Sequence, residues 1–259
     1  MLDHPRGRKL LAILRRHADR IVVLNPAMRD ELIALDFPRE RLVTLPCGAD
    51  PEIFRPSTAM ERSRLRARWQ LAEHEAVIAF TGRFVEEKRL PDLIDAFALL
   101  SQHYPEATLV LAGDGALRDK LVMRAAAAGL SSRVRFTGML PPERVAEVLA
   151  LADIYVLPSE SEGLPCSLIE AVACGLPSVV SDIPGTVLIQ AGVTGFRIPV
   201  GDVESLAAAL EALLRDPPLR DRMGRAARAL FLEHYTIDRI RDGYERVYQE
   251  LIGGKPAHV

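Results

Sequence analysis

From Val77 onward the sequence alternates short runs rich in Val, Ile and Leu with longer amphipathic segments, and no other feature restricts the fold as strongly. The apolar runs Val77–Phe80, Thr108–Ala112, Val134–Thr137, Ile154–Leu157, Ser178–Ser181 and Phe196–Ile198 read as strands. Between and after them, Leu90–Ser101, Ala116–Ala128, Pro142–Ala150, Ser167–Cys174, Val203–Leu214, Pro218–His234 and Ile237–Leu251 carry helical periodicity. A strand that is apolar along its length is covered on both faces. A helix after each strand is the pattern of a parallel sheet between helical layers. The expectation is an α/β fold with a doubly wound parallel sheet.

The first fifty residues differ. Helices are expected at Arg8–His17, Ala27–Leu35 and, past the boundary, Ser57–Trp69, with strands at Ile21–Leu24 and Leu42–Leu45. Two strands and two helices cannot close a core of their own, so this segment reads as the tail end of another domain. Pro46, Gly48, Pro51 and Pro56 mark a break. Leu10, Leu11, Ile13 and Leu14 are too many apolar residues for a free surface helix. An exposed apolar patch is therefore expected there, with residues 1–50 packing against the helix Ile237–Leu251.

Composition narrows the function classes. The chain has 259 residues, 49% hydrophobic and 26% charged, with net charge −2, which gives no basic excess for nucleic acid. No apolar run approaches a membrane span, and Met1-Leu2-Asp3-His4-Pro5 lacks an apolar signal core. Three cysteines, Cys47, Cys166 and Cys174, form no paired framework, which favours a reducing, cytoplasmic setting. Neither they nor the six histidines have metal-ligand spacing, so no metal is expected.

The chemistry concentrates at strand ends. In Pro158-Ser159-Glu160-Ser161-Glu162-Gly163-Leu164-Pro165-Cys166-Ser167-Leu168-Ile169-Glu170, Glu162 sits in a loop after a strand and Glu170 inside the next helix. A helix start after a parallel strand turns N–H groups toward an anion. Carboxylates flanking such a site suit hydroxyls instead, as on a sugar or a ribose. A ligand with phosphate in the middle and hydroxyl-rich ends is a sugar nucleotide. Thr81-Gly82-Arg83-Phe84-Val85-Glu86-Glu87-Lys88 follows another strand. There Gly82 permits the turn, and Arg83 and Lys88 could hold a diphosphate, one as a bidentate fork and one as a mobile charge. With Glu86 and Glu87 between them, the plainer reading is a solvated basic pair. Ala112-Gly113-Asp114-Gly115 and Thr137-Gly138-Met139-Leu140 are further strand-end turns, Asp182 is a candidate helix cap, and Gly192-Val193-Thr194-Gly195-Phe196 turns into a last strand.

In this order the motifs closely resemble the C-terminal half of the retaining group 1 (family 4) glycosyltransferases, which have the GT-B architecture. The resemblance runs from about Ala18 to Tyr248, and Glu162-x7-Glu170 with Gly175-Leu176-Pro177 is its most specific part. It implies a Rossmann-like C-terminal lobe plus a remnant of the first lobe. The implied division is 1–50 as remnant of the N-terminal acceptor lobe and linker, 51–235 as the nucleotide-sugar-binding lobe, and 236–259 as a helix returning toward the first lobe. Arg83 and Lys88, after the turn at Gly82, would hold the diphosphate. Glu162 would face the transferred sugar, and Glu170 would bond the ribose hydroxyls. Backbone groups of Gly163, Leu164, Pro165 and Cys166 would approach the phosphates, and Gly138 and Met139 the base.

The implied donor is a UDP- or GDP-sugar, with no further cofactor, an unidentified acceptor, and a partner chain or absent first lobe completing the cleft. Peripheral membrane association through that lobe, at the cytoplasmic face, is compatible with the family. No Asp-x-Asp is present, which agrees with cations in place of a metal at the leaving group. Arg89 stands where the family usually has Gly, Cys47 replaces a common Asn, and Pro165 removes an N–H donor. The alternatives are a non-catalytic nucleotide-sugar-binding module, one half of a split enzyme, and a sugar-nucleotide epimerase of the same architecture.

Overall fold

A computed structural model of the protein describes residues 5–253. The chain divides into two compact units, Ala49–Thr236 and the combination of Met1–Gly48 with Ile237–Val259.

The larger unit starts with helix α3 (Ala59–Arg68) and strand β3 (Ala76–Thr81), the numbers 1 and 2 belonging to the smaller unit. It continues through α4 (Leu90–Ser101), β4 (Ala107–Ala112), α5 (Arg118–Ala127), β5 (Val134–Gly138), α6 (Pro142–Leu151) and β6 (Ile154–Leu157). After these come α7 (Cys166–Ala173), β7 (Ser178–Ser181), β8 (Gly195–Ile198), α8 (Val203–Arg215) and α9 (Pro217–His234). The six strands form one sheet in the order β5-β4-β3-β6-β7-β8, and every pairing is parallel. Val77 to Phe80 and Ile154 to Leu157 are fully buried, as helical layers on both faces require. The observed element ends lie within a residue or two of those expected.

Local chemistry explains the less obvious boundaries. Helix α3 begins after Thr58, where Glu61 N donates to Thr58 Oγ1 at 3.2 Å and Thr58 N donates to Glu61 Oε2 at 2.9 Å, a reciprocal capping box. At the amino edge of the sheet, buried Arg66 donates to the carbonyls of Glu73 at 2.8 Å and Glu75 at 2.7 Å, and to Asp153 Oδ2 at 2.8 Å. Val77 N donates to the same carboxylate oxygen at 2.8 Å. These partners compensate a charge that burial would otherwise expel.

At the opposite edge, the ends of β3, β4 and β5 are joined by backbone bonds. Gly82 N donates to Ala112 O and Gly113 N to Gly138 O, both at 3.0 Å. A Cβ on Gly113 would lie 1.8 Å from Gly82 O, so only glycine allows this approach. Phe84 is fully buried between Phe80 and Phe136, with ring centroids 6.3 Å from each. That anchor holds its neighbour Arg83 at the surface.

The smaller unit contains α1 (Pro5–His17), β1 (Ile21–Val23), α2 (Pro26–Ala34), β2 (Leu42–Thr44) and the terminal helix α10 (Ile237–Gly253). Strands β1 and β2 pair in parallel from Ile21↔Leu42 to Val23↔Thr44. Its buried apolar residues include Val23, Phe37 and Leu42, with Ile240 and Val247 of α10. Gly243 admits Leu45, whose Cδ2 would be 2.6 Å from a Cβ there, and Arg20 pairs with Glu250 at 3.4 Å. Leu10, Ile13 and Leu14 of α1 are exposed at 58%, 49% and 40%, the apolar face expected from the sequence.

One local expectation changes. Asp182 caps no helix; it forms an ion pair with Arg197, because β7 and β8 are neighbours in the sheet. Short 3₁₀ turns form at Arg39–Arg41, Glu86–Lys88 and Pro184–Thr186. Among the described residues no helix is long and apolar enough to cross a membrane.

Candidate functional site

The strand order fixes where a ligand fits. From β3 the chain runs outward through β4 and β5, then returns to place β6 on the other side of β3. At such a reversal the loops leaving two adjacent strands diverge and open a crevice at the carboxyl edge. The loop after β3 carries Arg83 and Lys88, and the loop after β6 carries Glu162.

A cleft of about 300 Å³ opens on this edge. Gly82 and Arg83 line it from β3, Met139 and Leu140 from β5, and Ser167 and Glu170 from α7. Its lining combines the apolar side chains of Met139, Leu140 and Val145 with the charged Arg83 and the carboxyl of Glu170. Met139 is 73% exposed where it lines the cleft.

Two polar side chains of the cleft, Arg83 and Glu170, stand apart from the rest. No ion pair or side-chain hydrogen bond engages Arg83 or Glu170 among the described residues. Burial raises the Glu170 carboxyl from its ordinary 4.5 to about 7. Helix α7 begins at Cys166, and its N-cap Pro165 makes no side-chain capping bond. Ser167 and Glu170, three residues apart, share the helix face that meets the cleft. A guanidinium without a side-chain partner and a protonatable carboxyl in one cleft, beside the start of a helix, suit an anion attached to a hydroxyl-bearing group.

Not every expected site residue lines that cleft. Lys88 and Glu162 are mostly buried, with side-chain exposures of 15% and 11%, and they pair with each other through Lys88 Nζ and Glu162 Oε1. Gly138, at φ +71°, ends β5 and its carbonyl accepts from Gly113 N. Gly163 and Cys166 are exposed, whereas Leu164 and Pro165 are buried. Glu162 is held from behind by Gly185, where a Cβ would fall 2.3 Å from Glu162 O. The turn Pro184–Thr186 thus backs the loop that carries Glu162.

Thr81, Leu140, Val145 and Ser167 line the cleft without having been singled out in the sequence. The spacing of Ser167 from Glu170 was a readable signal; Val145 offered none. Arg89 was noted as a departure, but its left-handed backbone, φ +49°, is visible only in three dimensions.

A second cavity, about 350 Å³, lies at the amino ends of β6 and β7 and contains Arg62, Arg220 and Arg228. Arg62 pairs with Asp153. Arg228 donates to Ala173 O at 2.6 Å and Phe54 O at 2.8 Å, and Arg220 to Leu213 O at 2.7 Å. These arginines cap the ends of α7 and α8, so this cavity is structural. No cluster of three or more His, Cys, Asp or Glu able to hold a metal occurs among the described residues.

Comparison with known proteins agrees with this geometry. The family model for group 1 glycosyl transferases matches residues 61–230. Alpha-D-kanosaminyltransferase of Streptomyces kanamyceticus is 32% identical over 238 residues, which cover 91% of this chain and 61% of that protein. Sucrose-phosphate synthase of Thermosynechococcus elongatus superposes with a TM-score of 0.85 at 26% identity, over 98% of this chain and 63% of that one. Anabaena Alr3699/HepE, in complex with UDP and glucose, shares the fold with a TM-score of 0.83 at 22% identity, over 94% of this chain and 66% of that one. The chain spans about three fifths of the length of the curated relatives it matches. By motif, fold and family match, the chain belongs to the group 1 glycosyltransferases.

Proposed function

We propose that the cleft binds the donor of a glycosyl transfer, a nucleoside diphosphate sugar, from which the protein moves the sugar to an acceptor hydroxyl with retention of configuration. The observation that carries this reading is the pairing of two unengaged groups, Arg83 and Glu170, in one cleft beside the start of α7. Arg83 takes the diphosphate, Glu170 accepts from the ribose hydroxyls, and Met139 offers an apolar platform for the base. Lys88 joins Arg83 at the phosphates, and Glu162 orients the sugar. When the bond from the sugar C1 to the diphosphate oxygen breaks, its electron pair goes to the diphosphate. Arg83, and Lys88 once the donor has drawn it from Glu162, stabilise that charge. The acceptor oxygen then bonds C1, and its proton passes to the departing diphosphate oxygen. UDP and glucose in the Anabaena structure support a donor of this kind. A role in polysaccharide, glycolipid or glycoconjugate synthesis is the context we assign.

Thermal unfolding with UDP, GDP and ADP, alone and as sugar conjugates, tests the donor. A nucleotide present at a hundredfold excess over its Kd stabilises the fold by about 2.7 kcal/mol. The reading predicts such a shift for one base, and a uniform absence of shifts contradicts it. Nucleotide binding without transfer assigns this chain the donor side of the reaction. A transferred product of inverted configuration contradicts retention.

A further inference from the structure

The loops after β3 and β6 are tied together at three points. Glu160 N donates to Glu87 O at 2.9 Å. Lys88 pairs with Glu162. The Arg89 guanidinium reaches Glu160 Oε2 at 3.3 Å. Arg89 also donates from Nε to Asp92 Oδ2 at 2.7 Å, which roots it in the first turn of α4. Its outer face abuts Gly201, where a Cβ would lie 2.8 Å from Arg89 Nη2.

Arg89 holds this place in an unfavourable backbone conformation. At φ +49° and ψ 38° it lies in the left-handed region, which a Cβ disfavours and glycine adopts freely. It is the N-cap residue of α4, yet its side chain makes no capping bond, so capping does not account for an arginine. Asp36 and Gln70 share a positive φ, but Arg89 alone of the three lies in the loop that carries Arg83 and Lys88. Here the side chain joins one loop to the other.

We propose that Arg89 is a positioning residue for the donor. Its ion pair with Glu160 clasps the two loops, so that Lys88 and Glu162, one residue before Arg89 and two after Glu160, are presented together. This inference rests on the donor reading above. It also predicts a division of labour: Arg83 touches the ligand, whereas Arg89 acts through the loops.

Calorimetry with UDP, GDP and their sugar conjugates tests the clasp in the wild type, Arg89→Gly, Arg89→Lys and Glu160→Gln, each checked for folding by urea unfolding. Arg89→Gly relieves the backbone strain, so its stability should equal or exceed the wild type's while its affinity for the preferred nucleotide sugar falls about three- to tenfold. Arg89→Lys keeps the charge and should recover most of that affinity. Arg89→Gly and Glu160→Gln together should lose no more than either alone, because they break the same link. Unchanged affinity in Arg89→Gly, or equal losses in the Gly and Lys variants, overturns the clasp while leaving the donor reading intact. A wild type that binds none of the nucleotides overturns the donor reading, and the clasp with it. If Arg89→Gly does not fold, Arg89→Lys and Glu160→Gln decide: a few-fold loss in Glu160→Gln with retention in Arg89→Lys supports the clasp, and no loss in Glu160→Gln overturns it.

Discussion

Lys88 Nζ donates to Glu162 Oε1 across 74 positions of sequence, and both side chains are mostly out of solvent. The contact exists because β3 and β6, distant in the chain, are neighbours in the sheet. Without a ligand, the cation proposed for the diphosphate is neutralised by the carboxylate proposed for the sugar. A donor that places phosphate and sugar hydroxyls between these groups gives each a new partner.

Arg83 and Lys88 should therefore separate in their effects. Lys88→Ala strands the half-buried Glu162 carboxylate and should destabilise the fold by about 1–3 kcal/mol. Arg83→Ala breaks no contact among the described residues and should stay within about 0.5 kcal/mol of the wild type. Either change should weaken nucleoside diphosphate binding by roughly 1.5–3 kcal/mol, the range for a charge-assisted hydrogen bond. Urea unfolding and calorimetry on the two variants read both quantities. Equal stability losses would show that the Lys88–Glu162 pair adds nothing in solution.

Glu170 should leave a mark on the pH dependence of stability. Burial raises its carboxyl from 4.5 to about 7. Between those values the unfolded chain has released the proton and the folded chain still holds it, so the unfolded state binds fewer protons and stability falls as pH rises. The contribution is fully present below about 4.5 and is lost as pH climbs through about 7. Allowing for partial solvent access, the loss is of order 1–3 kcal/mol. Glu170→Gln cannot ionise and should flatten that slope. Unfolding at pH 5 and pH 8 checks this, and identical pH slopes in variant and wild type would contradict it.

The fold was legible because its strands carry the signal themselves. Runs such as Val77–Phe80 and Ile154–Leu157 are apolar at every position, which only a sheet covered on both faces explains. That Arg83 and Glu170 would line one cleft was legible because strand-end loops and helix starts are where α/β sheets open toward ligands. The pairings were not legible. That Lys88 meets Glu162, that Asp182 meets Arg197, and that Arg66 lies buried against Asp153 all depend on which strands and helices become neighbours. The backbone at Arg89 was hidden for a different reason: an arginine in the sequence does not announce a positive φ. In the smaller unit, the shortage of strands before Gly48 was visible, and the union of β1 and β2 with α10 in one unit is the structural counterpart of that shortage.

The central claim, that this cleft holds a nucleotide sugar with Glu170 at the ribose and Glu162 at the sugar, is tested most directly by calorimetry. Wild type, Glu162→Ala and Glu170→Ala are titrated with the preferred nucleoside diphosphate and with its sugar conjugate. Glu170→Ala should weaken both ligands by a similar factor, because both carry the ribose. Glu162→Ala should weaken the sugar conjugate alone, and should hold or tighten the nucleoside diphosphate, because it frees Lys88 from its present partner. Equal losses for both ligands in both variants would contradict the assignment.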